Sequence, residues 1–213
     1  MKDNILKKIK NKKEAGFTIV ESLVAIFILV LSITGPMAFT QSGLRAAFVS
    51  RDQITAFYLA QDAIEYVKNI RDNNSIKLLD VSAGNDPVSW IDGLSNCNVS
   101  DISQSGCTID TLSGIAPIQC PGEIGCLGSN SDGSDDVPLK IKELGSEDYE
   151  FLGIGTSGDE DSIFSREIKM IQVDPANPNE VEINVFVRWN TNETIGSRQI
   201  VVKEYIYNWA AGF

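Results

Sequence analysis

The sequence predicts an α+β fold, in which one long N-terminal helix packs on a C-terminal antiparallel sheet. Three observations carry this prediction. Residues 17–39 are a 23-residue run whose only charge is Glu21. Residues 40–72 continue it with an amphipathic pattern, apolar at three- and four-residue steps. Residues 162–213 hold three segments rich in β-branched and aromatic residues, separated by turn-forming stretches.

A chain of 213 residues accommodates one membrane anchor and one domain of ordinary size. Its net charge of −11 is unevenly divided: six of the 18 basic groups lie in residues 1–16 with only Asp3 and Glu14 against them. Residues 17–213 carry the remaining 12 basic and 27 acidic groups. A basic start suits an anionic cytoplasmic surface, and the acidic body lacks the basic footprint of general nucleic-acid binding. There is no histidine, which excludes Ser-His-Asp and Cys-His nucleophile arrangements and His-containing metal sites. The scattered carboxylates select no catalytic pair, so the chain is expected not to be an enzyme and no cofactor is expected.

The first element is the helix of residues 17–39. At 1.5 Å per residue it reaches roughly 34 Å, enough to cross a bilayer. With the lysines held inside, the positive-inside rule places everything after it outside the cytoplasm, anchored by a single pass. A cleaved secretory signal also has a basic start and an apolar core, but this run is longer and continues into an amphipathic helix. Glu21 is the anomaly, because an ionised side chain in an apolar run is costly.

The junction Ala15-Gly16-Phe17-Thr18-Ile19-Val20-Glu21 resembles the processing site of type IV prepilins and type II secretion pseudopilins. Those have a short basic leader ending in Gly, then Phe-Thr, two apolar residues and Glu. A Gly-Phe pair alone carries no information; the leader, Gly16, Phe17, Glu21 and the uncharged run carry it together. The resemblance implies a leader of residues 1–16, cut by a prepilin peptidase between Gly16 and Phe17, and N-methylation of the new Phe17 amine. It also implies that the helix serves first as an anchor in membrane lipid and then as a filament core among other pilin or pseudopilin subunits. The final location would be a cell-surface pilus or a periplasmic pseudopilus.

Processing gives Glu21 a role. The Phe17 ammonium lies one helical turn from it, so in a staggered bundle Glu21 of one subunit pairs with the amine of its neighbour. Losing one partner of a buried pair costs about 3–5 kcal/mol, which favours correct register over mis-stacking. The competing reading is that Glu21 snorkels to the nearby headgroups.

At Gly35-Pro36 a kink or local unwinding is expected, since Pro removes one backbone bond and its ring presses on the preceding turn. Beyond it, Phe57, Ala60, Ile64, Val67 and Ile70 form the stripe expected to pack on the sheet. Asn73-Asn74 is the expected stop, so the helix should run from Phe17 to about Arg71.

Residues 73–161 read as a variable, loop-rich region of short elements. Four cysteines, Cys97, Cys107, Cys120 and Cys126, fall in this extracytoplasmic segment, and two disulfides are expected. Three connectivities are possible, of which nearest-neighbour pairing, Cys97–Cys107 with Cys120–Cys126, is preferred. Zinc is the alternative, though the intervals of nine, twelve and five residues lack paired short spacing. Asp132, Asp135, Asp136, Asp159, Glu160 and Asp161 cluster with glycines and would suit calcium, as in major pseudopilins, but solvated turns explain them better. Asn73, Asn98 and Asn192 each begin an N-x-Ser/Thr triplet.

Residues 162–213 read as three antiparallel strands, 162–174, 180–190 and 196–209. Asp174–Asn179 and Asn190–Gly196 supply the turns. Val181, Ile183, Val185, Val187 and Trp189 alternate with polar residues, giving one apolar face. Phe164-Ser165-Arg166, Val185-Phe186-Val187-Arg188-Trp189 and a last strand ending at Trp209 resemble V-type minor pilins and minor pseudopilins, so the fold implied is pilin-like. Arg166, Arg188 and Trp189 are either part of a partner surface or an exposed salt-bridged strand face with one core Trp. The function expected is a minor pilin or pseudopilin, a structural subunit that joins or primes a filament. The alternative is an unprocessed single-pass binding module.

Overall fold

A computed structural model describes residues 16–79, 89–110, 116–122, 125–130, 133–143, 149–152, 160–190 and 196–211. Residues 1–15, Asp132, Asp159 and Asn192 lie outside these. Helix α1 spans Ile19–Leu79. A 3-10 turn at Ser95–Cys97 follows, and then eight strands: β1 Cys107–Thr108, β2 Ile118–Gln119, β3 Lys140–Glu143, β4 Tyr149–Leu152, β5 Glu160–Asp161, β6 Phe164–Asp174, β7 Asn177–Asn190 and β8 Ser197–Tyr207. The order β2-β1-β6-β7-β8 makes an antiparallel five-stranded sheet, and β4-β3-β5 makes a second sheet of three. This is an α+β arrangement, the long helix packed on the five-stranded sheet.

The chain divides into two compact units after Phe48. In the first, α1 is apolar all round, and its large side chains from Phe17 to Phe39 are exposed. A helix with no polar face is built for lipid or for other helices rather than for water. It is long and apolar enough to cross a membrane. Its hydroxyls are satisfied locally: Ser32 donates to Leu29 O at 2.8 Å, Thr34 to Val30 O at 2.8 Å and Thr40 to Pro36 O at 2.9 Å. The helix continues through Pro36, so the unwinding expected at Gly35-Pro36 does not occur. One lost backbone bond does not stop a helix supported by intact turns on either side.

In the second unit, Ala56, Leu59, Ala60, Ala63, Ile64 and Val67 pack against Ile168, Met170, Val181, Ile183, Val185, Val187 and Ile206 in one core. Each large aliphatic side chain buried there contributes about 1.5–3 kcal/mol. The alanines let the helix approach the strands closely, and all three are fully buried. The predicted stripe is thus largely met, with Ala60, Ile64 and Val67 in the core and Ile70 packed against it, and it differs at Phe57. Phe57 is 47% exposed, while Ala56, Leu59 and Ala63 join the contact.

The helix also overruns its predicted end. Asn74 is buried and its side-chain amide donates to Asp92 O at 2.9 Å and Trp90 O at 3.4 Å. Its polarity is spent tying the last turns to the segment that follows, so it does not cap them, and α1 runs on to Leu79.

Strands β6 and β7 form a hairpin paired from Phe164↔Trp189 to Asp174↔Asn177, with Pro175-Ala176 as its turn. Asp174 closes that turn by accepting from Ala176 N at 2.8 Å. β7 and β8 pair from Glu180↔Tyr207 to Asn190↔Ser197 without irregularity. The three long strands thus match the sequence pattern. β1 and β2 extend the sheet from within the loop-rich region, and two-residue strands carry no periodicity to read.

Candidate processing and assembly site

Gly16 and Phe17 precede the helix as exposed residues outside any helix or strand, and Phe17 is 76% exposed. Nothing lies within 4 Å of where a side chain at Gly16 would project, and its backbone is not in the left-handed region. The fold itself therefore places no demand for glycine at this position. Thr18 is the N-cap. Its hydroxyl accepts from Glu21 N at 3.3 Å and its carbonyl accepts from Ser22 N at 3.1 Å.

Thr18-Ile19-Val20-Glu21 has the spacing of a capping box, with the carboxylate in the first turn where the helix dipole favours negative charge. Glu21 thus has a local role at the helix start in addition to the one expected of it in assembly. The Ser/Thr-x-x-Glu pattern was the available signal. The carboxylate is exposed, outside any core, so it is accessible to a neighbouring chain.

The predicted partner-surface residues fall elsewhere and do not form one face. Arg166 is 2% exposed, which corrects its reading as part of an exposed strand face. It donates to Leu59 O at 3.0 Å, Asp62 Oδ2 at 3.1 Å and Ile109 O at 2.7 Å. Burial lowers its pKa, opposed by the carboxylates of Asp62 and Asp110. Its guanidinium fork ties the helix, the sheet and residues just beyond β1 together. Trp189 is a core residue, its ring 6.2 Å from that of Phe164. Arg188 donates to Asp136 Oδ1 at 2.8 Å, Gly128 O at 3.1 Å and Gln199 Oε1 at 3.2 Å, which ties Gly128 and Asp136 to β7.

Of the carboxylates considered for calcium, Asp135, Asp136 and Asp161 are engaged by protein. Asp135 accepts from Ser129 N at 3.0 Å and Asn130 N at 3.1 Å, and Asp136 from Gly128 N at 2.8 Å. Burial raises the pKa of Asp136, and Arg188 opposes that rise. Asp161 pairs with Lys140. Among the described residues no group of His, Cys, Asp and Glu is arranged to hold a metal ion.

The four cysteines form the disulfides Cys97–Cys107 and Cys120–Cys126. Cys97–Cys107 belongs to the main core beside β6, where Cys107 pairs with Ile168, and Cys120–Cys126 forms a smaller cluster with Ile118 and Val137. On β6, Glu167, 2% exposed, accepts from Gly106 N at 2.8 Å. Gly125, with φ of 86°, passes so close that a side chain would collide with the Glu167 carboxylate.

An apolar helix with a carboxylate in its first turn suggests membrane anchoring, and a sheet packs on the far half of that helix. Residues 11–35 match the family model described as Prokaryotic N-terminal methylation motif, consistent with a type IV prepilin-like protein. No curated protein and no solved structure matches the chain.

Proposed function

We propose that this chain is a minor type IV pilin or minor pseudopilin with a structural, non-catalytic role. A prepilin peptidase cuts between Gly16 and Phe17, the Phe17 amine is methylated, and the Phe17–Phe39 helix passes from membrane lipid into a filament. The carrying observation is a helix exposed and apolar on every side that begins three residues after a glycine the fold does not require. The methylation-motif match supports the same reading. The basic leader keeps the N-terminus cytoplasmic and the domain outside. Head-to-tail packing of such helices gives an open filament that buries the surface once covered by lipid.

Intact-mass and N-terminal analysis of the protein from its native cell tests this. A chain beginning with methylated Phe17 is expected; one retaining residues 1–16 contradicts it and leaves a plain membrane anchor. Glu21→Ala tests the register role separately. Processing with poor filament incorporation supports pairing with a neighbour's amine, and normal incorporation reduces Glu21 to its capping role.

A further inference from the structure

A pocket of about 590 Å³ lies where the 3-10 turn, the segment leading into β1 and the short strand β2 meet. Seven of its nine described lining residues are Ser, Asn or Gln, and the other two are Val99 and Gly122. No charged or aromatic side chain is among them. Ligand pockets are ordinarily apolar with a few polar groups. Here the proportion is inverted.

The walls are held by bonds that leave part of this polarity unused. The Cys97–Cys107 disulfide joins the 3-10 turn to β1. Ser105 Oγ donates to Gly122 O at 2.6 Å, and Val99 N donates to Met170 O at 2.9 Å on β6. Asn96 Nδ2 donates to Pro117 O at 2.8 Å, and Gln104 Oε1 accepts from Ser100 N at 2.8 Å. Half of each of these two carboxamides therefore remains over, Oδ1 of Asn96 and the amide nitrogen of Gln104. Those of Asn98 and Gln119 are engaged by no other residue among the described ones. All four residues are exposed.

A carboxamide sets a donor and an acceptor side by side. Neighbouring sugar hydroxyls, each able to donate and accept, answer that pattern group for group. An extended peptide would bring side chains that need apolar subsites, and the one large apolar side chain here, Val99, is buried. An anion would find no cation among the described lining residues, and the chain's net charge of −11 opposes its approach.

We propose that this pocket binds a neutral saccharide, with the carboxamides of Asn98 and Gln119 bonding its hydroxyls. The disulfide and the backbone bonds hold the walls in place beforehand, which lowers the ordering cost of binding. All lining residues belong to the second compact unit, so the site is independent of the filament role proposed above.

Ligand-observed NMR on the full-length chain, in a detergent without a sugar headgroup, provides the test. Maltotriose, cellotriose, chitotriose and mannotriose are the neutral probes; trigalacturonate and triglycine are the controls. At least one neutral trisaccharide should bind with a millimolar or tighter Kd, and neither control should. Asn98→Ala and Gln119→Ala should each weaken that binding several-fold, as the loss of one or two hydrogen bonds implies, with the domain's melting temperature unchanged. Absence of binding by all four saccharides overturns the proposal, as does a control that binds equally well. Binding that both variants leave unchanged overturns it too, because the sugar then sits elsewhere. Phe17 processing and filament incorporation are read separately, so failure here leaves the proposed function standing.

Discussion

The two stretches of α1 solve opposite problems with the same backbone. From Phe17 to Phe39 the helix has no polar face and buries nothing within the subunit. From Ala56 to Val67 it has a narrow buried stripe, half of it alanine, with Asp62 and Lys68 at the edges reaching Arg166 and Glu204. The first stretch postpones its burial until another molecule arrives; the second completes it inside the chain. The lesson is that apolar content alone does not locate a core. What matters is whether a polar face exists to be left in water.

The largest break in this comparison should come from Gly16→Val. No neighbour lies where its side chain would project, so the domain should melt unchanged while cleavage and filament incorporation are lost, as N-terminal sequencing and filament yield would report.

Arg166→Ala should have the reverse signature. Removing one partner of a buried ion pair costs about 3–5 kcal/mol. The lower end is expected here, because Asp62 is half-exposed and can recover water. Denaturant unfolding should show the loss while processing at Phe17 continues.

A smaller and sharper contrast pairs Ala60→Leu with Ala25→Leu. The first overpacks a fully buried site and should cost about 1–3 kcal/mol, whereas the second adds a side chain to an exposed apolar helix and should leave domain unfolding unchanged.

The smallest effect concerns acid. Lys203, Tyr205 and Asn184 all donate to Glu182, and these bonds, that from Lys203 foremost, hold its pKa down at about 2. A glutamate in the unfolded chain titrates near about 4.3. The folded form therefore binds its proton later, so this contribution is full above that value and is lost as pH falls toward 2. Melting curves between these limits should show the decline, and Glu182→Gln should flatten it.

The long helix and the three long strands were legible because each repeats its pattern over many residues. Ala60, Ile64, Val67 and Ile70 were legible in the stripe, whereas Phe57 stood in for Ala56 and Ala63 because it is the more apolar side chain, although close packing on a sheet favours the alanines. Arg166 was misread for a related reason. β6 is covered on both faces, so its Ser165, Arg166, Glu167 and Lys169 are buried polar residues in what reads as a half-exposed strand. Asn74 and the two-residue strands depend on partners distant in sequence, which no local pattern announces. At the candidate site the Gly16-Phe17 junction was plain, and the Thr18 cap was visible in the same seven residues but overshadowed by the charge of Glu21.

The hydroxyls of Ser32, Thr34 and Thr40 have a mechanical consequence. Each is spent on its own helix, so a filament built on this segment would have no polar contact from these hydroxyls to set the height of one helix against the next and would depend for it on the proposed Glu21 pair near the start of the helix. Dispersion contacts change little when greasy cylinders slide by a fraction of a turn. Under tension such a core would yield by slippage before its helices unfolded, and the stiffness of the assembly would reside in its outer domains.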